Sequence, residues 1–250
     1  MQNKLQNKLS KFLVVLLWIA VWQIVSVIVG NVFVIVGPWE TVSALFRLIG
    51  GGSFLPSVCK SLLCIICGFI AGSLLGGISA ALAYRFRLFN EIIEPFFKII
   101  KTVPVVSFII LVLIWFSKDM TAPLISMTVT APVIYYNIKT GLDSTDKQLL
   151  EMAEVFRMGI GKKITYIYLP GLKPFIVSSV KTAFGMAWKS GAAAEVIGQP
   201  LMTIGNGLYR GKINLATDEV LAWTLAIVVL SVVTEHMLMF AVNRACPGKA

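Results

Sequence analysis

A chain of 250 residues in which 57% of the side chains are hydrophobic and 14% are charged carries more apolar surface than one soluble core can bury. The composition therefore excludes an ordinary soluble domain and predicts a membrane protein. The net charge of +10 does not indicate a nucleic-acid partner, because the basic residues stand at the ends of apolar runs and do not line one face.

Six apolar runs divide the chain into predicted membrane spans. They are residues 12–35, 61–84, 99–117, 120–138, 174–197 and 220–242. The third run is short and relies on flanking lysines that reach back toward the headgroups. Residues 198–219 form a polar, glycine-rich connection between the last two spans. We expect a single all-α membrane domain over residues 1–250.

The second span contains a glycine at every fourth position, namely Gly68, Gly72 and Gly76. This spacing leaves one face of the helix almost bare of side chains. It predicts that another helix packs closely against that face.

The distribution of Lys and Arg predicts the orientation, because cytoplasmic loops hold the excess of basic residues. The basic residues assigned to the cytoplasmic side are Lys4, Lys8, Lys11, Arg85, Arg87, Lys98, Lys101, Lys139, Lys147, Arg157, Lys162, Lys163, Lys173, Arg244 and Lys249. Those assigned to the outside are Arg47, Lys60, Lys118, Arg210 and Lys212. Both termini and the loop 139–173 are therefore expected in the cytoplasm.

The loop 139–173 is the one polar, patterned segment between apolar runs. Thr145 stands three residues before Gln148, the spacing of a capping box, and predicts a helix start. An apolar stripe follows at helical spacing, while Glu151 and Glu154 face elsewhere. The stripe consists of Leu149, Met152, Ala153 and Phe156. From the pattern alone, such a helix either packs on a protein or lies on lipid headgroups.

Glycines and prolines predict where the two helices of this loop end. Gly159 and Gly161 permit the backbone conformations that end the first helix. A second short helix, residues 162–169, is expected to end at Pro170 and Pro174.

The amino-acid sequence of the loop resembles the E-A-A-x3-G-x9-I-x-L-P motif of the membrane subunits of binding-protein-dependent ABC importers. The residues that stand at the motif's positions are Glu151, Met152, Ala153, Ile167, Leu169 and Pro170. Two positions depart from the motif, because Met152 stands where the middle Ala is usual and Arg157 where the Gly is usual. Residues 104–116 and 185–198 extend the resemblance and are most similar to the nitrate, sulfonate and taurine branch.

This resemblance implies a type I importer permease-like bundle of six transmembrane helices, with a cytoplasmic coupling helix between spans 4 and 5. The coupling helix would dock on a separate cytoplasmic ATPase and relay its movement to the spans. The residues implied in coupling are Leu149, Glu151, Met152, Ala153, Glu154, Phe156, Gly159, Leu169 and Pro170. The implied partners are ABC ATPase subunits, an external substrate-binding protein, a second copy of the chain and membrane lipid, in a bacterial cell membrane. The implied solute is small, anionic or heterocyclic, such as nitrate, a sulfonate, taurine or a vitamin precursor.

Charged residues interrupt the fifth span. A charge near the bilayer centre costs about 2.5–3.5 kcal/mol on insertion scales, so these side chains are not expected to face lipid. Lys181 is close enough to the loop to snorkel. We interpret Trp188, Lys189 and Glu195 as bordering the translocation pathway, with Lys189 attracting an anionic solute. The alternative is that neighbouring helices satisfy the two charges.

The sequence offers no catalytic, cofactor or metal site. Residues 159–163 resemble a phosphate loop only faintly, since Phe156 and Lys163 replace the Gly and the Ser or Thr that it needs. The single His236 has no second ligand at a suitable spacing. We therefore expect a non-catalytic subunit whose ATP is bound by another chain. The alternative is a self-contained six-span carrier or channel, which would predict inverted repeats.

Overall fold

Eleven helices and one π-helical turn follow one another along residues 2–245, the part of the chain that the computed structural model describes. Lys249, which is among the basic residues expected on the cytoplasmic side, lies outside these residues. The helices are α1 (Gln2–Val29), α2 (Pro38–Gly50), α3 (Phe54–Arg85), α4 (Arg87–Thr102), α5 (Val105–Trp115), α6 (Lys118–Asp143), α7 (Lys147–Val155), α8 (Ile160–Lys163), α9 (Leu169–Gly198), α10 (Ile204–Ile213) and α11 (Thr217–Ala245), with the π turn at Ile164–Tyr168.

Helix α6 lies between α3 and α9 and forms the centre of the bundle. It runs parallel to α3, because Lys60 Nζ near the start of α3 lies 2.8 Å from Asp119 Oδ1 at the start of α6. It runs antiparallel to α9, because Gly198 at the end of α9 lies beside Thr121 at the start of α6. We call this end of the bundle the far end, and the opposite end, which carries the loop 139–173, the loop end.

The glycine stripe of α3 faces α6. A Cβ atom added at Gly72 would lie 2.6 Å from the carbonyl oxygen of Met127 and 2.8 Å from Thr130 Cβ. Gly68 and Gly76 likewise face the backbone of α6 at their own levels of the helix. The two backbones therefore approach at a distance that only glycine allows.

The predicted third span, 99–117, is not one straight helix. α4 ends at Thr102 and α5 begins at Val105, and the two axes differ by 103°. Pro104 explains the break, since a proline disfavours the helical conformation in the residue before it, and Val103 has an extended ψ of 134°. α5 alone is about 16 Å long, roughly half the thickness of a bilayer's hydrocarbon core.

Two other predicted boundaries differ from the observed ones. α1 ends at Val29, before the predicted limit of residue 35, and α9 begins at Leu169 instead of 174. Pro170 and Pro174 were expected to end a short helix, and this expectation is wrong. Pro170 falls in the first turn of α9, after a π turn that shifts the hydrogen-bond register, and Pro174 lies inside the helix.

By length and composition, two helices among residues 2–245 are able to cross a bilayer, Phe54–Arg85 and Thr217–Val242. The bent pair of α4 and α5 adds a third if it is counted as one span. The total of six spans stays a prediction from the sequence.

Replacing Gly72 by alanine tests the close contact of α3 with α6. We expect Gly72→Ala to destabilise the protein by about 1–3 kcal/mol, because the added methyl group meets backbone atoms that cannot move aside. Gly77→Ala is the matched control, since its Cβ would find its nearest neighbour, Ile138 Cδ1, at 3.6 Å. Thermal unfolding of the purified protein in mild detergent measures both, and equal midpoints for the two variants would contradict the contact.

Candidate functional site

The loop at the loop end begins with a capped helix. The carboxylate of Asp146 accepts a hydrogen bond from the backbone N–H of Gln148 at 2.9 Å, and α7 follows from Lys147 to Val155. The spacing of Thr145 and Gln148 predicts this cap at Thr145, which is wrong by one residue. The Thr145 hydroxyl instead donates back to the carbonyl of Gly141.

α7 ends in a glycine-type cap without a glycine. Arg157 has a φ of +47°, and the next N–H, that of Met158, donates to the carbonyl of Ala153 at 2.8 Å. The expectation that Gly159 and Gly161 make this turn is wrong, because neither has a positive φ and Gly159 has a φ of −65°. The left-handed residue stands at the position where the ABC importer motif has its glycine.

One side of α7 is buried and the other is uncovered. Ala153 is fully buried, whereas Leu149 and Met152 are each almost half exposed and Phe156 is 72% exposed. Val155, at 80% exposure, enlarges this apolar surface beyond the predicted stripe. We call the four exposed apolar residues, Leu149, Met152, Val155 and Phe156, the α7 surface.

Acidic side chains accompany the α7 surface. Glu151 and Glu154 are both exposed, and Glu154 Oε1 lies 3.8 Å from Lys163 Nζ across the turn. An apolar surface bordered by charges, on a loop rather than on a spanning helix, is typical of a protein docking site.

The second half of the motif fixes the loop to the bundle. Ile167 is buried, and the hydroxyl of Tyr168 lies 3.4 Å from that of Tyr84 near the end of α3. Leu169 and Pro170 follow as the first residues of α9 and are exposed. The loop that carries α7 is thus continuous with α9, and it contacts α3 through the pair of Tyr84 and Tyr168.

The three residues interpreted as pathway residues lie in different environments. Trp188 packs in the core with Phe184 and Ile65, and Glu195 is 1% exposed. Lys189 is exposed, and no carboxylate of the described residues lies within ion-pair distance of its ammonium group. Of the three, only Lys189 has an exposed side chain.

Comparison with known proteins decides the family. Residues 68–244 match the family described as the binding-protein-dependent transport system inner membrane component. The chain belongs to this family. The all-helical, type I permease-like fold expected from the resemblance is confirmed, and the chain is a membrane permease subunit of an ABC importer.

Individual relatives narrow the branch. The permease is 26% identical over 226 residues to the putative aliphatic sulfonates transport permease protein SsuC of Bacillus subtilis, covering 88% of this chain and 80% of the relative. It is 26% identical over 222 residues to the taurine transport system permease protein TauC of Escherichia coli, covering 84% of this chain and 78% of the relative. These relatives confirm the predicted nitrate, sulfonate and taurine branch.

A third relative and a solved structure complete the comparison. The bicarbonate transport system permease protein CmpB of Synechococcus elongatus is 22% identical over 204 residues, covering 74% of this chain and 67% of the relative. A chain from the crystal structure of an amino acid ABC transporter with histidines shares the fold, with a TM-score of 0.62 and 15% identity over 80% of the permease and 97% of that chain.

Glu195 has a structural role that the permease sequence did not reveal. Its Oε2 accepts hydrogen bonds from Ser61 Oγ at 2.7 Å and from the N–H of Gly205 at 3.1 Å. Ser61 Oγ in turn accepts from the N–H of Ile204 at 2.9 Å. The carboxylate therefore joins α3, α9 and the first turn of α10, where the helix dipole favours a negative charge.

No metal site accompanies these groups. Within residues 2–245, no three His, Cys, Asp or Glu side chains come together as a metal ion would require.

Removing the Ser61 hydroxyl tests the Glu195 network. We expect Ser61→Ala to destabilise the permease by about 1–3 kcal/mol, because Ile204 N–H and Glu195 each lose a buried partner. Ser73→Ala is the control on the same helix, since the buried Ser73 hydroxyl has no hydrogen-bond partner among the described residues. Thermal unfolding and hydrogen exchange at residues 204–206 report the change. Unaltered exchange in Ser61→Ala would show that the network does not hold α10.

Proposed function

We propose that the permease forms half of the translocation pathway of an ATP-driven importer and that the α7 surface couples it to a separate ATPase subunit. The observation that carries this proposal is the uncovered apolar surface of α7. Leu149, Met152 and Phe156 stay exposed although Ala153, on the other side of the same helix, is fully buried. Burial of such side chains in a partner's groove stabilises docking, and the nearby carboxylates add charge-assisted hydrogen bonds.

The attachment of α7 gives a route for movement into the bundle. The π turn and α9 continue directly from α8, so a displacement of α7 that crosses the turn at residues 156–159 reaches α9 through a continuous helical segment. The contact between Tyr84 and Tyr168, with ring centroids 5.9 Å apart, passes part of that displacement to α3. Motion of this kind converts closure of a motor into a change in helix packing.

The partners and the orientation follow from this role. The family's dependence on a binding protein supports an external substrate-binding protein, and we place it at the far end. The loop end then faces the cytoplasm and the ATPase, in agreement with the excess of Lys and Arg in the loops assigned to that side. A second copy of the permease would complete the pathway, with lipid around the two copies.

The solute is proposed to be a small anion. The names of three relatives mention aliphatic sulfonates, taurine and bicarbonate, and each of these compounds carries a sulfonate or carboxylate-type group. Lys189 supports the same class, because it is a cation without a carboxylate partner among the described residues, on the exposed side of α9. ATP binding is assigned to the separate ATPase chain, so the permease itself performs no catalysis.

Reversing one charge on α7 tests the coupling role. We expect Glu151→Arg to insert into the membrane at the normal level and to lose solute uptake at least tenfold. The cation replaces the carboxylate that is proposed to accept hydrogen bonds from the ATPase, which weakens docking by at least about 1.4 kcal/mol. Uptake and ATP hydrolysis are measured on the complete transporter in proteoliposomes with its binding protein. Glu91→Arg is the control, because Glu91 forms only an exposed pair with Arg87 on α4. Uptake by Glu151→Arg equal to that of the unchanged protein would refute the docking role.

A further inference from the structure

A cavity of about 280 Å³ opens at the break between α4 and α5. Its walls come from α4, α5, α6 and α9, and most of its lining is aliphatic. The polar groups that line it are Lys101 and Asn137, with Tyr136 and Thr182 beside them. A mainly apolar cavity with a few convergent polar groups is typical of a small-molecule site.

Lys101 is the cation of this cavity. Its ammonium group lies 5.3 Å from the centroid of the Tyr136 ring. No carboxylate of the described residues lies within 4.0 Å of it, whereas Lys139 of α6 pairs with Glu94 at 3.4 Å. Lys101 is therefore oriented by an aromatic face, and among the described residues it has no carboxylate partner that would compete with an anionic ligand.

The neighbouring polar groups supply hydrogen-bond donors. Asn137 uses one amide hydrogen on the carbonyl of Val133 at 2.8 Å, which leaves the second hydrogen for a ligand. The hydroxyl of Thr182 lines the cavity from α9. The cavity thus offers one cation, two hydrogen-bond donors and an aliphatic wall. These groups suit a small organic anion with an oxygen-rich head group better than a cation or a neutral solute.

A second exposed cation, Lys189 of α9, lies beyond the cavity toward the far end. It lies seven residues beyond Thr182, which corresponds to about 10 Å along the helix, and Met186 lines the cavity between them. All three side chains are on exposed positions of α9. An anion that leaves the cavity toward the far end thus meets a second cation within about two helical turns.

We propose that this cavity binds the charged head group of a small sulfonate-like anion, with Lys101 as the ion-pair partner and Asn137 and Thr182 as hydrogen-bond donors. The identification of that anion as the transported solute rests on the proposed function. The binding itself depends only on the cavity and its three polar residues.

A cysteine at position 182 makes the cavity's electrostatics measurable. Thr182→Cys is introduced into a permease whose four cysteines are replaced by serine, and the complete transporter is placed in phosphatidylcholine nanodiscs, which contain no anionic lipid. Two methanethiosulfonate reagents of similar size are compared, one bearing an ethylsulfonate group and one a trimethylammonium group. Each reagent forms a disulfide with the thiolate and releases methanesulfinate, and each rate is divided by its rate with a free thiol.

We expect the normalised rate to favour the sulfonate reagent and Lys101→Met to lower that preference about tenfold, since it removes a unit charge from a partly shielded site. Ethanesulfonate in solution should slow the reaction of the Thr182→Cys permease that keeps Lys101, because Lys101 and Asn137 still hold the anion there. Lys98→Met is the matched control, because Lys98 is an exposed lysine of the same helix that does not line the cavity.

Equal normalised rates for the two reagents, or a preference that Lys101→Met leaves unchanged, would overturn the site. Protection by added anionic lipid but not by ethanesulfonate would also overturn it, because the cavity would then hold a lipid head group. A preference that behaves as expected in a transporter that does not take up sulfonates would leave the site standing and refute the proposed solute instead.

Discussion

The contact between the backbones of α3 and α6 is the constraint on which the rest of the permease depends. Because Gly68, Gly72 and Gly76 present no side chains, α3 lies directly on the carbonyl groups of α6. Lipid offers helices no hydrophobic driving force for association, so close van der Waals contact of this kind is what stabilises a bundle in a membrane. α9 packs on the same two helices, with Gly191 facing Ile65 and Ser126.

The charged residues of the bundle fall into two groups with different consequences. Glu195 is enclosed and hydrogen-bonded, and it holds the start of α10 against α3 and α9. Lys189 and Lys101 have no carboxylate partner within residues 2–245 and lie on open surfaces. A buried carboxylate such as Glu195, whose Oε2 accepts two hydrogen bonds, contributes to architecture. An unpaired cation that lines a cavity, as Lys101 does, can instead bind an anion.

The sequence predicted the elements with strong periodicity and missed those that depend on tertiary contacts. The glycine spacing indicated close packing on α3, and the loop motif indicated both the family and the exposed α7. The α10 helix was hidden because Gly205 and Gly207 weaken any local helix pattern. Both glycines allow close tertiary packing, since Gly205 lies against the backbone of Glu195 and Gly207 against the ring of Trp223.

The hydrogen-bond partners of Glu195 in the fifth span and the break in the third span also depend on tertiary contacts that the sequence does not show. Ser61 is 134 residues from Glu195, so no local pattern links them. The pairing of Lys101 with an open cavity depends on the 103° bend at Pro104, whose size cannot be calculated from a proline alone. The left-handed Arg157 was missed because a residue with a Cβ rarely adopts that conformation.

Site-specific photo-crosslinking from position 152 is the most direct measurement of whether α7 receives force from a motor. A photoreactive amino acid in place of Met152, which is 47% exposed on the α7 surface, should crosslink to the ATPase subunit in the assembled transporter. The same amino acid in place of Leu201, which is 75% exposed at the far end, should not. Crosslinks from position 152 to lipid alone, or ATPase crosslinks from position 201, would contradict the account.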